Sequence, residues 1–481
     1  MAGIVGVTGT DEATLVRSAL SKLGHRGDQG PVVYELDRTT QGQVWPDGWQ
    51  RHSGSFTRHG VMLDGAIYNW RDLSSGATSV HNALENLYEQ QGPGFVSELD
   101  GSFALVLAGG DGLFAARDRL GIAPLYQGTY RGEPCFASEV KALLGWASDI
   151  RELPPGHCYM PEEGALPYYE LEAEEPLALS GEEAAVRLLE SLDHAIEKHL
   201  ALSDIAGSWL SGGLDSSSIA ALMRTRASEL HTFSVGLEGA PDPEYARLVA
   251  GFIDAEHHER IVTMDDILKV LPEVIYHLES FDAWLIRSSI MNYIVGKMAS
   301  DFVPTVFSGE GGDEMLGGYE YLKSLEQEEL ADELVDISNR LHNTALQRVD
   351  RCSAAHGLTV CTPFLDRDVV ETAIRIPVDY KLWRNGSVVE KWVLRRAMDG
   401  LLPDAVVNRT KAKFWEGSGV SDMLQRHAEE MIPDADFEME QKLPDGSSLI
   451  SKEELMYYRI FREHFGELDD LSFVGRTKGA A

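Results

Sequence analysis

A loop of glycine and serine at residues 208–217 constrains the fold more than any other part of this chain. It reads Ser-Trp-Leu-Ser-Gly-Gly-Leu-Asp-Ser-Ser and stands between an apolar strand pattern at 205–210 and a helical pattern at 217–226. Such a turn presents backbone N–H groups and hydroxyls at a helix N-terminus, where an anion is stabilised. Asp215 adds a carboxylate oxygen of the kind that Mg²⁺ prefers. The loop therefore predicts a site for a phosphate-bearing ligand and its metal.

The segment after residue 182 alternates strands and helices around this loop. Apolar residues at helical spacing run from 185 to 200, and predicted strands follow at 205–210, 231–237 and 258–263. Helices are predicted between them, at 217–226 and 244–253. This alternation is typical of a parallel sheet with helices on both faces, which binds nucleotides at the carboxyl end of its first strand. Beyond residue 320 the pattern is largely helical.

The first 160 residues have a different pattern of apolar residues. Short apolar or alternating runs predict strands at 3–7, 61–68, 103–108 and 112–116, and helices at 15–23 and 80–88. Residues 161–181 are rich in Glu, Pro, Gly and Tyr without periodicity, which is typical of a linker. A chain of 481 residues is also long for a single core. We therefore predict an α+β layered domain at 1–160, a linker at 161–181 and an α/β domain at 182–481.

Two further clusters carry groups suited to phosphate chemistry. Ser-Gly-Glu-Gly-Gly-Asp-Glu at 308–314 follows an apolar stretch, so Asp313 is suited to share a magnesium with Asp215, and Glu310 to face a nucleophile. Asn-Arg-Thr-Lys-Ala-Lys at 408–413 brings lysines that could stabilise a developing negative charge. Taken alone, the first cluster is equally typical of a solvated turn and the second of a surface charge patch.

The glycine loop resembles the pyrophosphate-binding loop of the ATP pyrophosphatase superfamily. The chain contains no GxxxxGK[ST], so a mononucleotide P-loop is excluded. The expected reaction splits ATP between its α and β phosphates. A carboxylate becomes an acyl-adenylate, an amine attacks it, and AMP leaves while Mg²⁺ neutralises the phosphates. ATP and Mg²⁺ are the predicted cofactors.

Bulk composition excludes several other classes of protein. The net charge of −35 argues against a nucleic-acid partner, because phosphates would be repelled. No run of eighteen apolar residues predicts a membrane span, and no signal-peptide layout opens the chain, so we expect a cytoplasmic protein without a membrane partner. The four cysteines have no CxxC spacing, so they indicate neither a zinc site nor a disulfide framework.

Taken in order, the motifs of this chain resemble those of the glutamine-dependent asparagine synthetase family along nearly its whole length. The segments that carry the resemblance are 1–6, 25–27, 64–69, 116–126, 136–143, 211–217, 308–319, 363–366 and 451–461. The resemblance implies an N-terminal nucleophile hydrolase sandwich joined to an ATP pyrophosphatase domain. It also implies a small-molecule carboxylate and ammonia or an amine as partners, with a homodimer as one possible assembly.

The glutaminase half departs from the family pattern at its nucleophile. The family uses a cysteine at position 2, whereas this chain has Ala2, which has no nucleophilic atom. The glutamine-holding Asn-Gly-Glu of the family is replaced by Asp64, Gly65 and Ala66, and an expected aspartate by Val80. We therefore predict that this chain does not hydrolyse glutamine.

The synthetase half keeps more of the family pattern. By resemblance, Asp215 and Asp313 complete the metal site, Lys411 stabilises the adenylation transition state, and Glu310 stands where ammonia attacks. Arg287 matches an arginine on the acyl-acceptor side. The residues that the resemblance assigns to pyrophosphate and adenosine are Ser211, Gly212, Gly213, Asp215, Ser216, Val235, Ser308 and Gly309.

The acyl pocket differs from the family, which leaves several functions open. Trp284 and Leu285 replace a threonine pair, and residues 357–366 lack a glutamate and an arginine of the family motif. The main hypothesis is an AMP-forming ligase that uses free ammonia or an amine, with aspartate as the plainest carboxylate. The alternatives are a specialised synthetase of the β-lactam or lasso-peptide cyclase type, a non-catalytic regulatory or scaffold protein, and a tRNA-modifying enzyme. The last of these fits poorly with the strong negative charge.

Overall fold

The computed structural model describes residues 1–46, 60–109, 112–203, 205–384, 388–409 and 421–477. Within these residues the chain divides into two compact units. The first consists of Met1–Leu171 with Ala354–Leu358, and the second of Glu172–Ser353 with Thr359–Ala481.

The first unit is built on two antiparallel sheets. One has six strands in the order β2-β3-β1-β8-β7-β9, and the other has five in the order β11-β10-β6-β5-β4. The strands are β1 (Gly3–Thr8), β2 (Gln29–Leu36), β3 (Thr39–Trp45), β4 (Met62–Ile67), β5 (Gly101–Gly109), β6 (Gly112–Arg117), β7 (Tyr126–Tyr130), β8 (Glu133–Ala137), β9 (Ser148–Glu152), β10 (His157–Met160) and β11 (Gly164–Pro167). The helices are α1 (Ala13–Ser21), α2 (Trp70–Leu73) and α3 (Val80–Gln91).

Two apolar layers hold this unit together. Alternating residues of the two sheets meet in one core, for example Ile4 and Phe136 from the first sheet with Val106 and Leu113 from the second. The opposite face of the second sheet packs on α3, where Leu84 is fully buried. Each such side chain contributes about 1.5–3 kcal/mol to folding through its burial. The result is the layered sandwich that the sequence predicts.

The second unit contains a parallel sheet of five strands in the order β14-β13-β12-β15-β16. Its strands are β12 (Ala206–Trp209), β13 (His231–Leu237), β14 (Glu256–Val262), β15 (Thr305–Phe307) and β16 (Thr359–Cys361), and a hairpin adds β17 (Leu382–Arg384) and β18 (Val388–Glu390). In chain order the sheet reads 3-2-1-4-5, so the direction of winding reverses between β12 and β15. Ligands of open α/β sheets bind outside the carboxyl ends of the strands at such a reversal.

Helices account for most of the remaining second unit. They are α4 (Gly181–Leu200), α5 (Leu214–Arg226), α6 (Asp242–Phe252), α7 (Met264–Leu278), α8 (Ala283–Ala299), α9 (Gly312–Leu316), α10 (Gln327–Asn339), α11 (Ala345–Ala354), α12 (Arg367–Ile374), α13 (Val378–Lys381), α14 (Trp392–Ala397), α15 (Asp404–Val407), α16 (Ser421–Met431), α17 (Asp434–Glu440) and α18 (Lys452–Phe465). No helix in the described part of the chain is long and apolar enough to cross a membrane.

The predicted fold class is confirmed, although the structure differs from the sequence prediction in detail, as two examples show. The segment 161–181, predicted as a linker, contains β11, which pairs with β10, and its last residue already begins α4. The three-residue strand β16 lies within a region predicted to be largely helical. Both strands are too short for an alternation of apolar and polar residues to reveal them.

Candidate functional site

The first glycine loop follows β12 and leads directly into α5. Gly213 caps the helix, and Asp215 lies in its first turn. The loop is braced by its own hydroxyls, since the Ser211 Oγ and Ser216 Oγ atoms are 3.0 Å apart and the Gly213 N–H donates to Ser211 Oγ at 3.3 Å. The predicted arrangement of a helix N-terminus beside a carboxylate is therefore present, and it favours an anion together with a cation.

Gly212 is fixed in place by a residue far along the chain. It has a φ of +73°, and a Cβ there would lie 2.5 Å from the backbone nitrogen of Ala246, so only glycine fits. Arg409 donates to the Gly212 carbonyl at 3.1 Å and to Asp242 Oδ1 at 2.6 Å. The Arg409 guanidinium also lies 4.0 Å over the Tyr245 ring. Arg409 thus positions the loop from the segment that the sequence marked as a lysine cluster.

The second glycine loop follows β15 and leads into α9. Gly311 caps this helix with a φ of +90°, and a Cβ there would lie 2.4 Å from Leu365 Cδ2. Leu365 belongs to the 363–366 motif, so that motif supports the loop by packing against it. Asp313 lies in the first turn of α9, as Asp215 does in α5.

The two loops are in direct contact at the winding reversal of the sheet. A Cβ on Gly309 would lie 2.7 Å from the Ser216 backbone nitrogen, and one on Gly312 would lie 2.7 Å from Asp215 Oδ1. Real Cβ atoms do not approach this closely, so glycine is required at both positions. Because the glycines permit this contact, Asp215 and Asp313 come together although they are far apart in sequence.

Lys391 lies between these two carboxylates. Its Nζ is 2.5 Å from Asp215 Oδ2 and also pairs with Asp313 Oδ1. The lysine has a positive φ of 52° at the start of α14, which is uncommon for a residue with a side chain and suggests a functional constraint. Burial alone would lower the pKa of Lys391, but the charges of Asp215 and Asp313 hold that pKa above its ordinary value. Lys391 therefore places a positive charge between the two carboxylates.

The chemistry of this cluster fits a hard divalent cation. Two carboxylates converge on one point, and Mg²⁺ is bound through one or two carboxylates together with phosphate oxygens. Gly318 leaves room for the side chains of Asp313 and Lys391, since a Cβ there would lie 1.9 Å from Asp313 Oδ1 and 2.2 Å from Lys391 Cε. Asp215 and Asp313 are the residues that would hold the metal.

Glu310 occupies the same cleft with a different partner. Arg348 donates to its carboxylate, and both side chains are mostly buried. The neighbouring Glu314 is fully buried, and this burial, together with the charges of Asp313 and Glu310, raises its pKa to about 7. The cleft thus holds a concentration of negative charge that Lys391 and Arg348 offset.

Most of the predicted site residues line one cleft. Those that line it are Ser211, Gly213, Asp215, Ser216, Val235, Ser308, Gly309, Glu310 and Asp313. Gly212 supports the cleft through its backbone. Further lining residues that the sequence did not single out include Trp209, Phe233, Asn292 and Arg348. Lys411 lies outside the described residues.

Arg287 is bound to Glu453 and does not line this cleft. It stands on α8, and its guanidinium makes a two-pronged contact with Glu453 of α18, in which the Nε donates to Oε1 at 2.8 Å. Tyr457 donates to the same carboxylate at 2.7 Å, and the guanidinium lies 4.8 Å from the Trp284 ring. Arg287 is not among the residues that line the described cleft.

The position of the missing nucleophile, in the first unit, is fully buried. Ala2 has no exposed surface, and its N–H donates to Asp64 Oδ1 at 2.6 Å. Asp64 also pairs with Arg26 at 3.2 Å, and Arg26 Nε donates to Glu139 at 2.5 Å. Lys141 binds the same glutamate. Two cations and two carboxylates therefore form a buried charged network beside the position where the family has its cysteine.

A parallel sheet wound 3-2-1-4-5, with two glycine loops and two carboxylates at its reversal, defines a nucleotide-binding α/β protein. The comparisons with known proteins specify the family. A family model described as Asparagine synthase matches residues 187–335 and 324–479, and one described as Glutamine amidotransferase domain matches residues 1–153. The chain belongs to the asparagine synthetase family.

Individual relatives match this chain over most of their own length. The chain is 34% identical over 444 residues to asparagine synthetase [glutamine-hydrolyzing] 2 of Arabidopsis thaliana, covering 84% of this chain and 75% of that protein. It is 32% identical over 501 residues to asparagine synthetase B [glutamine-hydrolyzing] of Escherichia coli (strain K12), covering 95% and 89%. The probable asparagine synthetase of Schizosaccharomyces pombe is 36% identical over 451 residues, with 84% and 81% covered. The predicted family, and the ligase class that goes with it, are confirmed.

The main site residue that sequence reasoning missed is Lys391. Its only signal was its position in Glu-Lys-Trp-Val-Leu-Arg, shortly before the lysine cluster that drew attention instead. The sequence did not indicate that Arg348 belongs to the site, because an arginine on an amphipathic helix is typical of a face exposed to solvent.

Proposed function

We propose that this chain is an AMP-forming ligase that adenylates a carboxylate with ATP and Mg²⁺ and transfers the acyl group to ammonia or an amine, without hydrolysing glutamine. The observation that carries the proposal is the pair of carboxylates, Asp215 and Asp313, held around Lys391 at the winding reversal of the sheet. The two carboxylates suit a Mg²⁺ ion, and Lys391 suits the pyrophosphate, which is the leaving group of an adenylation. A cytoplasmic location remains part of the proposal.

The reaction requires two displacements. In the first, a carboxylate oxygen attacks the α-phosphorus of ATP, and the bond between that phosphorus and the bridging oxygen breaks to release pyrophosphate. In the second, the amine attacks the acyl carbon and AMP leaves with the former carboxylate oxygen. A bound Mg²⁺ would neutralise phosphate charge. Lys391 supplies a fixed positive charge beside the leaving pyrophosphate, and the N-terminus of α5 offers it N–H donors. Lys411 is proposed to stabilise the charge at the α-phosphate.

Glu310 is proposed to act in the second displacement. An attacking amine must lose a proton, and a carboxylate within reach can accept it. Glu310 lines the cleft beside Asp313, and Arg348 fixes its orientation through one oxygen. Ser308, Gly309 and Val235 lie on the same cleft and are proposed to contact the adenosine.

Pyrophosphate release tests the ligase directly. We expect release from ATP and Mg²⁺ to require a carboxylate, and its continuation over many turnovers to require ammonium as well, with aspartate as the first carboxylate of a panel of small mono- and dicarboxylates. Omission of the carboxylate is the control, since adenylation cannot begin without it. A regulatory or scaffold protein would release no pyrophosphate with any member of the panel, and that result would overturn the proposal.

A ligase that uses a carboxylate other than aspartate is the second candidate function, and two contacts of Arg287 favour it. Arg287, which by resemblance stands on the acyl side, is neutralised by Glu453, so its charge is already balanced by the protein. The indole of Trp284 packs against this arginine where the family has a hydroxyl. Both features reduce the attraction for a second substrate carboxylate. Substrates with one carboxylate in the panel would then release pyrophosphate faster than aspartate.

We expect that Ala2→Cys does not create a glutaminase. A cysteine at this position would be buried beside the Asp64 carboxylate, whose negative charge opposes the oxyanion that forms during amide hydrolysis. The loss of one oxyanion donor alone costs a factor of about 10²–10³. Glutamate formation from glutamine is the measurement, and ammonium-dependent pyrophosphate release by the same variant is the control for folding. Saturable glutamate formation by Ala2→Cys would contradict this expectation.

A further inference from the structure

Two histidines and a glutamate gather at the edge of the parallel sheet, at the opposite end of its strands from the glycine loops. His231 begins β13, and its partner in the parallel register is Glu256, which begins β14. His258 follows two residues after Glu256, so the period of a strand puts both on one face of the sheet. His257, between them, binds Thr232 and Ser234 instead.

The ligand atoms of these three residues are spaced as a tetrahedral metal requires. The Nδ1 atom of His231 is 3.1 Å from Nε2 of His258 and 3.7 Å from Glu256 Oε2, and His258 Nε2 is 3.6 Å from the other oxygen of that carboxylate, Oε1. With one atom taken from each residue, the three ligand atoms lie within 4.8 Å of one another. Zinc bonds of about 2.0–2.2 Å at tetrahedral angles place neighbouring ligand atoms about 3.4 Å apart. The three observed distances bracket this value, so a zinc ion would require only small side-chain movements.

Aromatic packing holds the two imidazoles in place. The His258 ring lies 5.0 Å from the Phe233 ring and 3.9 Å from the Phe302 ring, measured between centroids. The side chains of His231 and His258 are 22% and 15% exposed, whereas Glu256 is 66% exposed. The imidazoles are therefore preorganised, while the carboxylate side is open to solvent and leaves room for water as a fourth ligand.

We propose that His231, Glu256 and His258 form a binding site for a divalent transition metal of the zinc type, with water in the fourth position. Two imidazoles and a carboxylate are a ligand set that zinc accepts and that Mg²⁺ does not favour. The net charge of −35 further favours cation binding. A metal here would tie the edge strand β14 to β13. Cysteine spacing gave no indication of this site because none of its ligands is a cysteine.

The test is a zinc titration of the tag-free full chain, stripped with a chelator and kept in millimolar Mg²⁺ to occupy oxygen-rich sites. We expect one zinc equivalent to bind, and Co²⁺ in its place to give the visible absorption of a tetrahedral site. His258→Ala and Glu256→Gln should each weaken zinc binding at least tenfold, whereas His257→Ala, on the other face of the same strand, should leave it unchanged.

A second readout, the thermal midpoint, keeps the result unambiguous. Zinc should raise the thermal midpoint of the wild-type chain but not that of Glu256→Gln, whose exposed side chain can be changed without disturbing the fold. Equal zinc affinity in the wild type, His258→Ala and Glu256→Gln would contradict the proposal and mean that the two histidines only share a hydrogen bond. Pyrophosphate release is measured separately, so failure here does not affect the ligase proposal.

Discussion

Asp215→Asn is expected to reduce ATP-dependent pyrophosphate release by a factor on the order of 10²–10³. The substitution keeps the shape of the side chain but removes one of the two carboxylates around Lys391. A metal at this point would lose a charged ligand, and Lys391 would lose one of its two counter-charges while it keeps its pair with Asp313. The loss should appear in kcat more than in KM, since the metal that Asp215 would hold acts on the charge of the leaving pyrophosphate as it forms.

The matched control for this prediction is Asp193→Asn. Asp193 also pairs with a cation, Arg226, at 2.6 Å, but it lies on the surface of α4 away from the glycine loops. Surface ion pairs contribute about 0–1 kcal/mol, so activity and stability should stay close to the wild type. Equal pyrophosphate release by Asp215→Asn and Asp193→Asn would remove the Asp215 cluster from the mechanism.

Glu139→Gln is expected to destabilise the first unit by about 3–5 kcal/mol. Glu139 is fully buried and binds Arg26 and Lys141 at once. Its neutralisation removes the carboxylate that both buried cations contact, and a buried charge that loses its counter-charge is among the most costly single changes in a protein. The free energy of unfolding in urea measures the effect, with a probe that reports on the first unit.

Glu133→Gln provides the comparison. Glu133 lies on the same strand, β8, but is exposed to solvent. Its substitution should change the free energy of unfolding by no more than about 0.5 kcal/mol. If Glu139→Gln changed the free energy of unfolding as little as Glu133→Gln, the charged network around Ala2 would not be a main source of this unit's stability.

The sequence predicts the fold well where a structural element depends on residues that are close together in the chain. The first glycine loop, the strand β12 before it and the helix α5 after it are local features, and the structure has the strand and the helix within a few residues of the predicted bounds. The short helix α9 after the second loop was not predicted. The contact between the two loops also follows from strand order, because β12 and β15 are neighbours at the winding reversal. The local pattern singled out Asp215, Glu310 and Asp313, and the family resemblance supplied the other six of the nine predicted residues that line the cleft.

Long-range contacts are what the sequence did not reveal. Lys391 reaches Asp215 across 176 residues, and only the folded backbone, with its positive φ at Lys391, brings them together. Similarly, the sequence shows that Ala2 lacks a nucleophile, but not that Asp64, Arg26 and Glu139 form a charged network beside it. Arg287 illustrates the opposite case, since a residue that resemblance assigns to the substrate side is bound to Glu453.

The most direct test of the proposed adenylation traces the oxygen atoms of the substrate carboxylate into the products. With the best carboxylate from the panel labelled with ¹⁸O, and with ammonium as the amine donor, the products are examined by ³¹P NMR. An acyl-adenylate formed at the Asp215 and Asp313 cluster transfers one ¹⁸O to AMP and leaves pyrophosphate unlabelled. Formation of ADP with ¹⁸O in inorganic phosphate would contradict the account, because it would mean that the γ-phosphate, not the α-phosphate, is attacked.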